Sequence, residues 1–133
     1  MKYLLDTNIC IYLIKGRDEK LLKKFVKHSP VDFAVSSITV SELWYGVKKS
    51  KKQKVNEAAL TSFLQPFEII NFDEDSAKVY GSIRTKLESD GKPIGSMDLL
   101  IASIALANEL VLLTNNEREF KRVPKLKIEN WVL

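Results

Sequence analysis

Lys2 to Leu5 is a short apolar run, and Ile9, Ile11, Tyr12, Leu13 and Ile14 follow it closely, so the chain passes from strand to helix within a few residues of Met1. The same change of period recurs. Phe33 to Ser36 is a second β-prone run, followed by the helical stretch with Leu43, Trp44, Tyr45 and Val47, and Phe67 to Ile70 is a third, followed by a long helix with Ala77, Tyr80, Ile83 and Leu87 on one face. Val111-Leu112-Leu113 is a fourth strand, apolar throughout as a central parallel strand should be, and a last strand is expected around Lys127 to Trp131. Between the third and fourth strands lies Asp98 to Ala107, the most apolar helix of the chain and so a central buried one. Two further helices are expected: Leu21, Leu22, Phe25 and Val26 alternate with lysines behind Asp18, and Ala58 to Leu64 runs up to Pro66. Strands alternating with helices predict an α/β fold with a parallel sheet, in which ligands collect at the carboxyl ends of the strands.

Polar residues fall where that rule looks for them. Asp6, Thr7 and Asn8 occupy the first strand-to-helix turn, and Asp6 is either the helix N-cap or a ligand. Thr39 and Glu42 have the spacing of a capping box, which places Glu42 in a first helical turn behind the second strand. Asp98 lies in the first turn of the apolar helix behind a Ser96 cap, where the helix dipole favours an anion. Thr114, Asn115, Asn116 and Glu119 follow the fourth strand. Each acid has a local explanation, but all three occupy helix N-termini, two of them directly after strands, and in a parallel sheet the junctions at Asp6, Glu42 and Asn115/Asn116 share one edge. Carboxylates about 4 Å apart repel by about 4 kcal/mol per pair at an effective dielectric of 20, so such a cluster requires protons or a cation. With no His or Cys among the candidates, the oxygen donors suit Mg²⁺ or Mn²⁺, ions that act on phosphate esters.

Composition narrows the rest. A chain of 133 residues is expected to form one domain, 1–133, with a core that needs no disulfide, and the lone Cys10 suits a reduced, cytoplasmic setting. No apolar run approaches the roughly 20 residues of a membrane helix. The net charge of +4 is a mild excess, but Lys48, Lys49, Lys51, Lys52 and Lys54 concentrate it beside Trp44 and Tyr45, as either a solvated face or a track for a phosphate backbone. Trp44, Tyr45 and Tyr12 are candidates for base stacking, for an interface or for the core, and Met97 for groove or filler. His28, at the end of the second helix, reads as a dipole partner rather than a base.

Leu5-Asp6-Thr7-Asn8, Ser41-Glu42-Leu43 with Gly46, Pro93-Ile94-Gly95 with Asp98 to Ala102, and Thr114-Asn115-Asn116 with Arg118-Glu119-Phe120 together resemble a PIN-domain ribonuclease, in particular the VapC toxin branch of type II toxin-antitoxin modules. The resemblance covers the whole chain in order. It implies a PIN-like α/β/α sandwich around a mainly parallel sheet, Mg²⁺- or Mn²⁺-dependent cleavage of RNA such as transfer RNA, a homodimer, and inhibition by a VapB-like antitoxin lying across the active-site groove. Carried onto this chain, it makes Asp6, Glu42 and Asp98 metal-binding catalytic acids, with Thr7, Asn8, Asn115, Asn116 and Glu119 as supporting polar groups and Lys48, Lys49, Lys51 and Lys52 as RNA contacts. At the fourth acidic position of many PIN nucleases this chain has Asn115 and Asn116; Glu119 substitutes only if its turn brings it back. The competing readings are a non-catalytic basic RNA-binding module, in which the acids serve only as caps, and a nucleotide-binding domain, which the absence of a Gly-rich loop after the first strand disfavours.

Overall fold

A computed structural model describes residues 1–132. Strands β1 (Tyr3–Leu5), β2 (Phe33–Ser36), β3 (Glu68–Ile70), β4 (Val111–Leu113) and β5 (Ile128–Glu129) form one sheet in the order β3-β2-β1-β4-β5. Every pairing is parallel, with Leu5 opposite Val35 on one side and Leu113 on the other. The helices are α1 (Thr7–Lys15), α2 (Glu19–Phe25), α3 (Ser37–Lys49), α4 (Gln53–Leu64), α5 (Glu74–Ser89), α6 (Ser96–Ala107) and the short α7 (Glu117–Phe120).

The central strands are apolar on both faces because both faces are covered. Tyr3, Leu5, Phe33, Val35 and Leu113 point into a core with Ile9, Leu21, Leu43, Val47 and Leu60 of α1 to α4. Leu4, Ala34 and Leu112 point the other way, towards Ile83 and Leu87 of α5 and Leu99, Ile101 and Ile104 of α6. Each fully buried Leu or Ile contributes about 1.5–3 kcal/mol, so the two layers fix which end of the sheet carries each turn. Helix α6 is buried as its composition requires, and Cys10 is fully buried in the first core. Of the two edge strands, β5 is the shortest of the sheet and β3 is largely exposed.

Several local expectations change. Ser36, not Thr39, caps α3: its hydroxyl accepts from the Thr39 N–H at 3.0 Å. Strand β2 keeps its pairing through Ser36, opposite Ile70, and the helix begins at the next residue, so the Thr39 and Glu42 capping box does not form and Glu42 falls in the second turn. The residue before α6 is Gly95, which makes no side-chain cap, so Ser96 is helical rather than capping. On α5, Ala77 is exposed and Ser76 takes the buried position. Asp18 and Asp73 cap α2 and α5, accepting from the N–H groups of Leu21 and Ser76. The His28 ring stacks on Trp131, 5.1 Å between centroids, and meets Tyr3 edge-on, far along the strands from the turns that carry Asp6 and Thr114.

Candidate active site

The strand order reverses at β1. From β1 the chain crosses to β2 and β3 on one side, and β4 and β5 lie on the other, so the carboxyl ends of β1 and β4 flank the crevice where parallel sheets bind ligands. Asp6 ends β1 and Thr114 ends β4. The Asp6 N–H donates to the Leu113 carbonyl at 3.0 Å, extending the ladder one residue and fixing the acid at the mouth of the crevice.

Asp6 is only 4% exposed and uses both carboxylate oxygens. Oδ1 accepts from the Thr7 N–H at 2.7 Å, the helix cap, and Oδ2 accepts from the Thr114 hydroxyl at 2.7 Å. The capping and site readings of Asp6 therefore hold together. Burial raises its pKa above the ordinary 3.8; the Thr114 and Thr7 hydrogen bonds act against that rise and the charge of Glu42 adds to it.

Glu42 reaches the same turn from α3. The Thr7 hydroxyl donates to Glu42 Oε1 at 2.8 Å, and the hydroxyls of Thr7 and Thr39 meet at 3.0 Å. Thr7 thus positions Glu42 through its side chain and Asp6 through its backbone.

Asp98 and Glu119 form the opposite wall. The turn of α7 brings Glu119 back to Asp98, and the two carboxyl groups share a hydrogen bond. Burial pushes Asp98 up to about 7, helped by that hydrogen bond and by the negative charges of Asp6, Glu119 and Glu42. Glu119 is held below its ordinary 4.5 by the bond from Asp98 and by the Asn116 amide. The Asn116 amide donates to Glu119 Oε2 at 3.0 Å and reaches Asp98 Oδ2 at 3.4 Å, while its backbone N–H donates to the Thr114 hydroxyl at 2.9 Å. One hydroxyl, that of Thr114, therefore ties Asp6 to the segment that holds Asp98 and Glu119.

The remaining candidates divide. The Asn115 amide turns away to the Tyr12 hydroxyl at 3.1 Å, leaving its own buried Oδ1 without a partner. Asn8 is exposed and, among the described residues, no hydrogen bond of its side chain is found. Lys48, Lys49, Lys51 and Lys52 are exposed at the end of α3 and in the following turn. Lys48 Nζ lies 5.8 Å from the Trp44 ring centroid and Lys49 Nζ 4.9 Å from that of Tyr45. Tyr45 is 66% exposed and Met97 49%, whereas Trp44 packs against the core. Beside Glu42 opens a cavity of about 250 Å³ lined mainly by apolar side chains of α1, α3 and α4, including Ile11, Leu43, Val47 and Leu60.

Three residues were visible in the sequence without their site partners: Thr114 and Thr39, whose partners lie far along the chain, and Tyr12, which fixes Asn115. Only a hydroxyl directly after the fourth strand could have singled out Thr114.

Among the described residues, no three carboxylate, imidazole or thiolate groups come close enough to enclose an ion by themselves. The donor set nevertheless fits Mg²⁺ or Mn²⁺: it is all oxygen, the neighbouring carboxylates help to raise the pKa of Asp6 and of Asp98, and Mg²⁺ keeps several waters while taking one or two carboxylates.

Comparison with known proteins agrees with this geometry. The family profile for the PIN domain matches residues 3–126. Ribonuclease VapC2 of Rickettsia felis is 47% identical over 98% of this chain and 98% of its own length. The tRNA(fMet)-specific endonuclease VapC of Salmonella typhimurium is 39% identical, with 98% of each chain covered. The crystal structure of DNA-bound VapBC from Salmonella typhimurium superposes with a TM-score of 0.93 at 39% identity, covering 98% of each chain. The reversed sheet order, the acids it gathers and these whole-length similarities place the chain in the PIN-domain family, among the VapC ribonucleases.

Proposed function

We propose that this chain, as a single PIN domain, is a metal-dependent endoribonuclease and the toxin component of a VapBC-like type II module. The observation that carries the reading is the gathering of Asp6 with Glu42 and of Asp98 with Glu119 around the crevice, through Thr114, Thr7 and Asn116; burial pushes Asp98 up to about 7, and the Glu119 hydrogen bond and the charges of Asp6, Glu119 and Glu42 add to the rise. Asp6, Glu42 and Asp98 would hold Mg²⁺ or Mn²⁺, which supplies positive charge to the scissile phosphate and a more acidic water. Around it, Thr114 and Thr7 keep Asp6 and Glu42 aimed into the crevice, and Glu119 with Asn116 sets the proton and orientation of Asp98. Water attacking phosphorus in line would form the new P–O bond as the P–O3′ bond breaks, leaving a 5′-phosphate and, once the leaving oxygen takes a proton, a 3′-hydroxyl. Lys48, Lys49, Lys51 and Lys52 bind the RNA backbone outside the crevice.

Transfer RNA is the proposed substrate, and initiator transfer RNA, cut in the anticodon loop, the first candidate, because the Salmonella relative bears the name of a tRNA(fMet)-specific endonuclease. A VapB-like antitoxin is the proposed inhibitor, supported by the VapBC neighbour and by the apolar cavity that opens beside Glu42. The chain is proposed to act as a homodimer in the cytoplasm. Among the described residues, no helix is long and apolar enough to cross a membrane.

The test is cleavage of total transfer RNA by purified, antitoxin-free protein with and without Mg²⁺ or Mn²⁺, beside Asp98→Asn. Discrete fragments that need the ion and vanish in the variant are expected. RNA binding without cleavage, by folded protein on transfer, ribosomal and messenger RNA, would instead favour the non-catalytic RNA-binding module.

A further inference from the structure

We propose that Thr39 is a positioning residue for Glu42, acting through the hydroxyl of Thr7. The inference rests on the reading of Glu42 as an acid of the active site. A hydroxyl has one proton. Thr7 spends its proton on Glu42 Oε1 at 2.8 Å, so the 3.0 Å contact between Thr7 and Thr39 is made by the Thr39 proton. The direction of the chain is thereby fixed: Thr39 donates to Thr7, and Thr7 donates to Glu42.

Other helical hydroxyls of this chain behave differently. Those of Ser41, Thr85 and Ser103 donate to the carbonyl four residues back in their own helices. Thr39 instead reaches across to a residue 32 positions away, from a side chain that is fully buried. Its own backbone is pinned, because its N–H donates to the Ser36 hydroxyl at 3.0 Å. The donor is therefore rigid, and it holds the Thr7 oxygen so that the Thr7 proton stays on Glu42. Oε1 is occupied in this way, and among the described residues no hydrogen bond engages Glu42 Oε2.

Partners that orient a metal ligand typically govern affinity or activity by about 10–100-fold. Thr39→Val, which keeps the branched shape but removes the proton, should weaken Mn²⁺ binding to the antitoxin-free protein about tenfold. The Mn²⁺ concentration that half-saturates cleavage should rise by about the same factor. Thr39→Ser should bind within about twofold of wild type, because it restores the donor. Thr39→Ala serves as a second donor-free variant if the valine disturbs folding, which urea unfolding would reveal. In a Glu42→Gln background, Thr39→Val should weaken Mn²⁺ binding no further, since its effect passes through Glu42.

Wild-type Mn²⁺ binding by the folded donor-free variants would overturn the proposal, as would an equal loss in Thr39→Ser or a full additional loss in the Glu42→Gln background. Glu42→Gln itself separates the two levels. If it binds Mn²⁺ and cleaves as wild type does, Glu42 is no site acid and both readings fall. If it is impaired while Thr39→Val is not, only the role of Thr39 falls.

Discussion

Asp98→Asn removes one charge from the crevice while keeping a side chain of the same shape in the first turn of α6. The size of the effect follows from the position of the Asp98 carboxyl, raised from 3.8 to about 7 by burial, by its hydrogen bond with Glu119 and by the charges of Asp6, Glu119 and Glu42. At about 1.36 kcal/mol per pH unit this rise corresponds to about 4 kcal/mol, and solvent around a half-buried group reduces it to about 2 kcal/mol. The sign follows from linkage. Between pH 4 and 7 the folded protein keeps a proton that the unfolded chain has lost, so this contribution is fully present below about pH 4 and is lost as pH rises through about 7. Glu119 works in the opposite sense and only in acid, its contribution standing above its ordinary 4.5 and fading as pH falls. Asparagine does not titrate. In EDTA-treated protein, urea unfolding at pH 8 should therefore find Asp98→Asn more stable than wild type by about 2 kcal/mol, with the gap narrowing below about pH 7 and closing near pH 4. Millimolar Mg²⁺ should stabilise wild type more than the variant, because an ion binds the folded state at the charge that the variant lacks. A variant no more stable than wild type at pH 8, or a gap that does not change with pH, would refute the view that burial and acidic neighbours together make the Asp98 charge costly in the free protein.

Two further outcomes test the surroundings of the acids. Thr114→Val leaves a buried carboxylate oxygen of Asp6 without its donor and the Asn116 N–H without its acceptor, so urea unfolding should show a loss of about 2–4 kcal/mol and cleavage should fall sharply, with Thr114→Ser restoring both. For the basic face, joint replacement of Lys49, Lys51 and Lys52 by glutamine should raise KM with little change in kcat. It should also flatten the salt dependence of RNA binding by about 0.7 in log–log slope for each phosphate no longer neutralised, and an unchanged slope would remove these lysines from the RNA track.

The sequence revealed most where one physical cause dominated. Strands β1, β2 and β4 are covered on both faces, so apart from the Ser36 that ends β2 their composition is apolar and their turns into helices are abrupt; Asp6 was visible for that reason. Asp98 stood out because α6 is apolar on every side except its first turn. Glu42 was visible with the wrong local partner. The spacing of Thr39 and Glu42 satisfies a capping box, but the pairing of Ser36 with Ile70 holds β2 extended for long enough that Ser36 becomes the cap. Glu119 stayed undecided because its approach to Asp98 depends on α7, a helix of four residues whose sequence carries little periodic signal. Thr114 could not be paired with Asp6 at all, since 108 positions separate them and only the closed sheet brings them to 2.7 Å.

Hydroxyls hold Asp6 and Glu42, an amide and a second carboxyl group hold Asp98, and the absence of cations among these partners bears directly on what the crevice can bind. Among the described residues, no ion pair involves Asp6, Glu42 or Asp98; their side-chain partners are Thr114, Thr7, Glu119 and the Asn116 amide. A lysine or arginine in place of Thr7 or Thr114 would orient a carboxylate equally well and lower its pKa, but it would also cancel the charge. A neutral donor orients the acid and leaves the charge in place. The free protein then carries mutual repulsion among Asp6, Glu42, Asp98 and Glu119, which it relieves by keeping a proton on Asp98 up to about pH 7. A divalent cation relieves the same repulsion more completely and displaces that proton, so ion binding should release protons around neutrality and strengthen as pH rises. The threonines thus explain how one cluster can be costly to the empty fold and receptive to a cation at once.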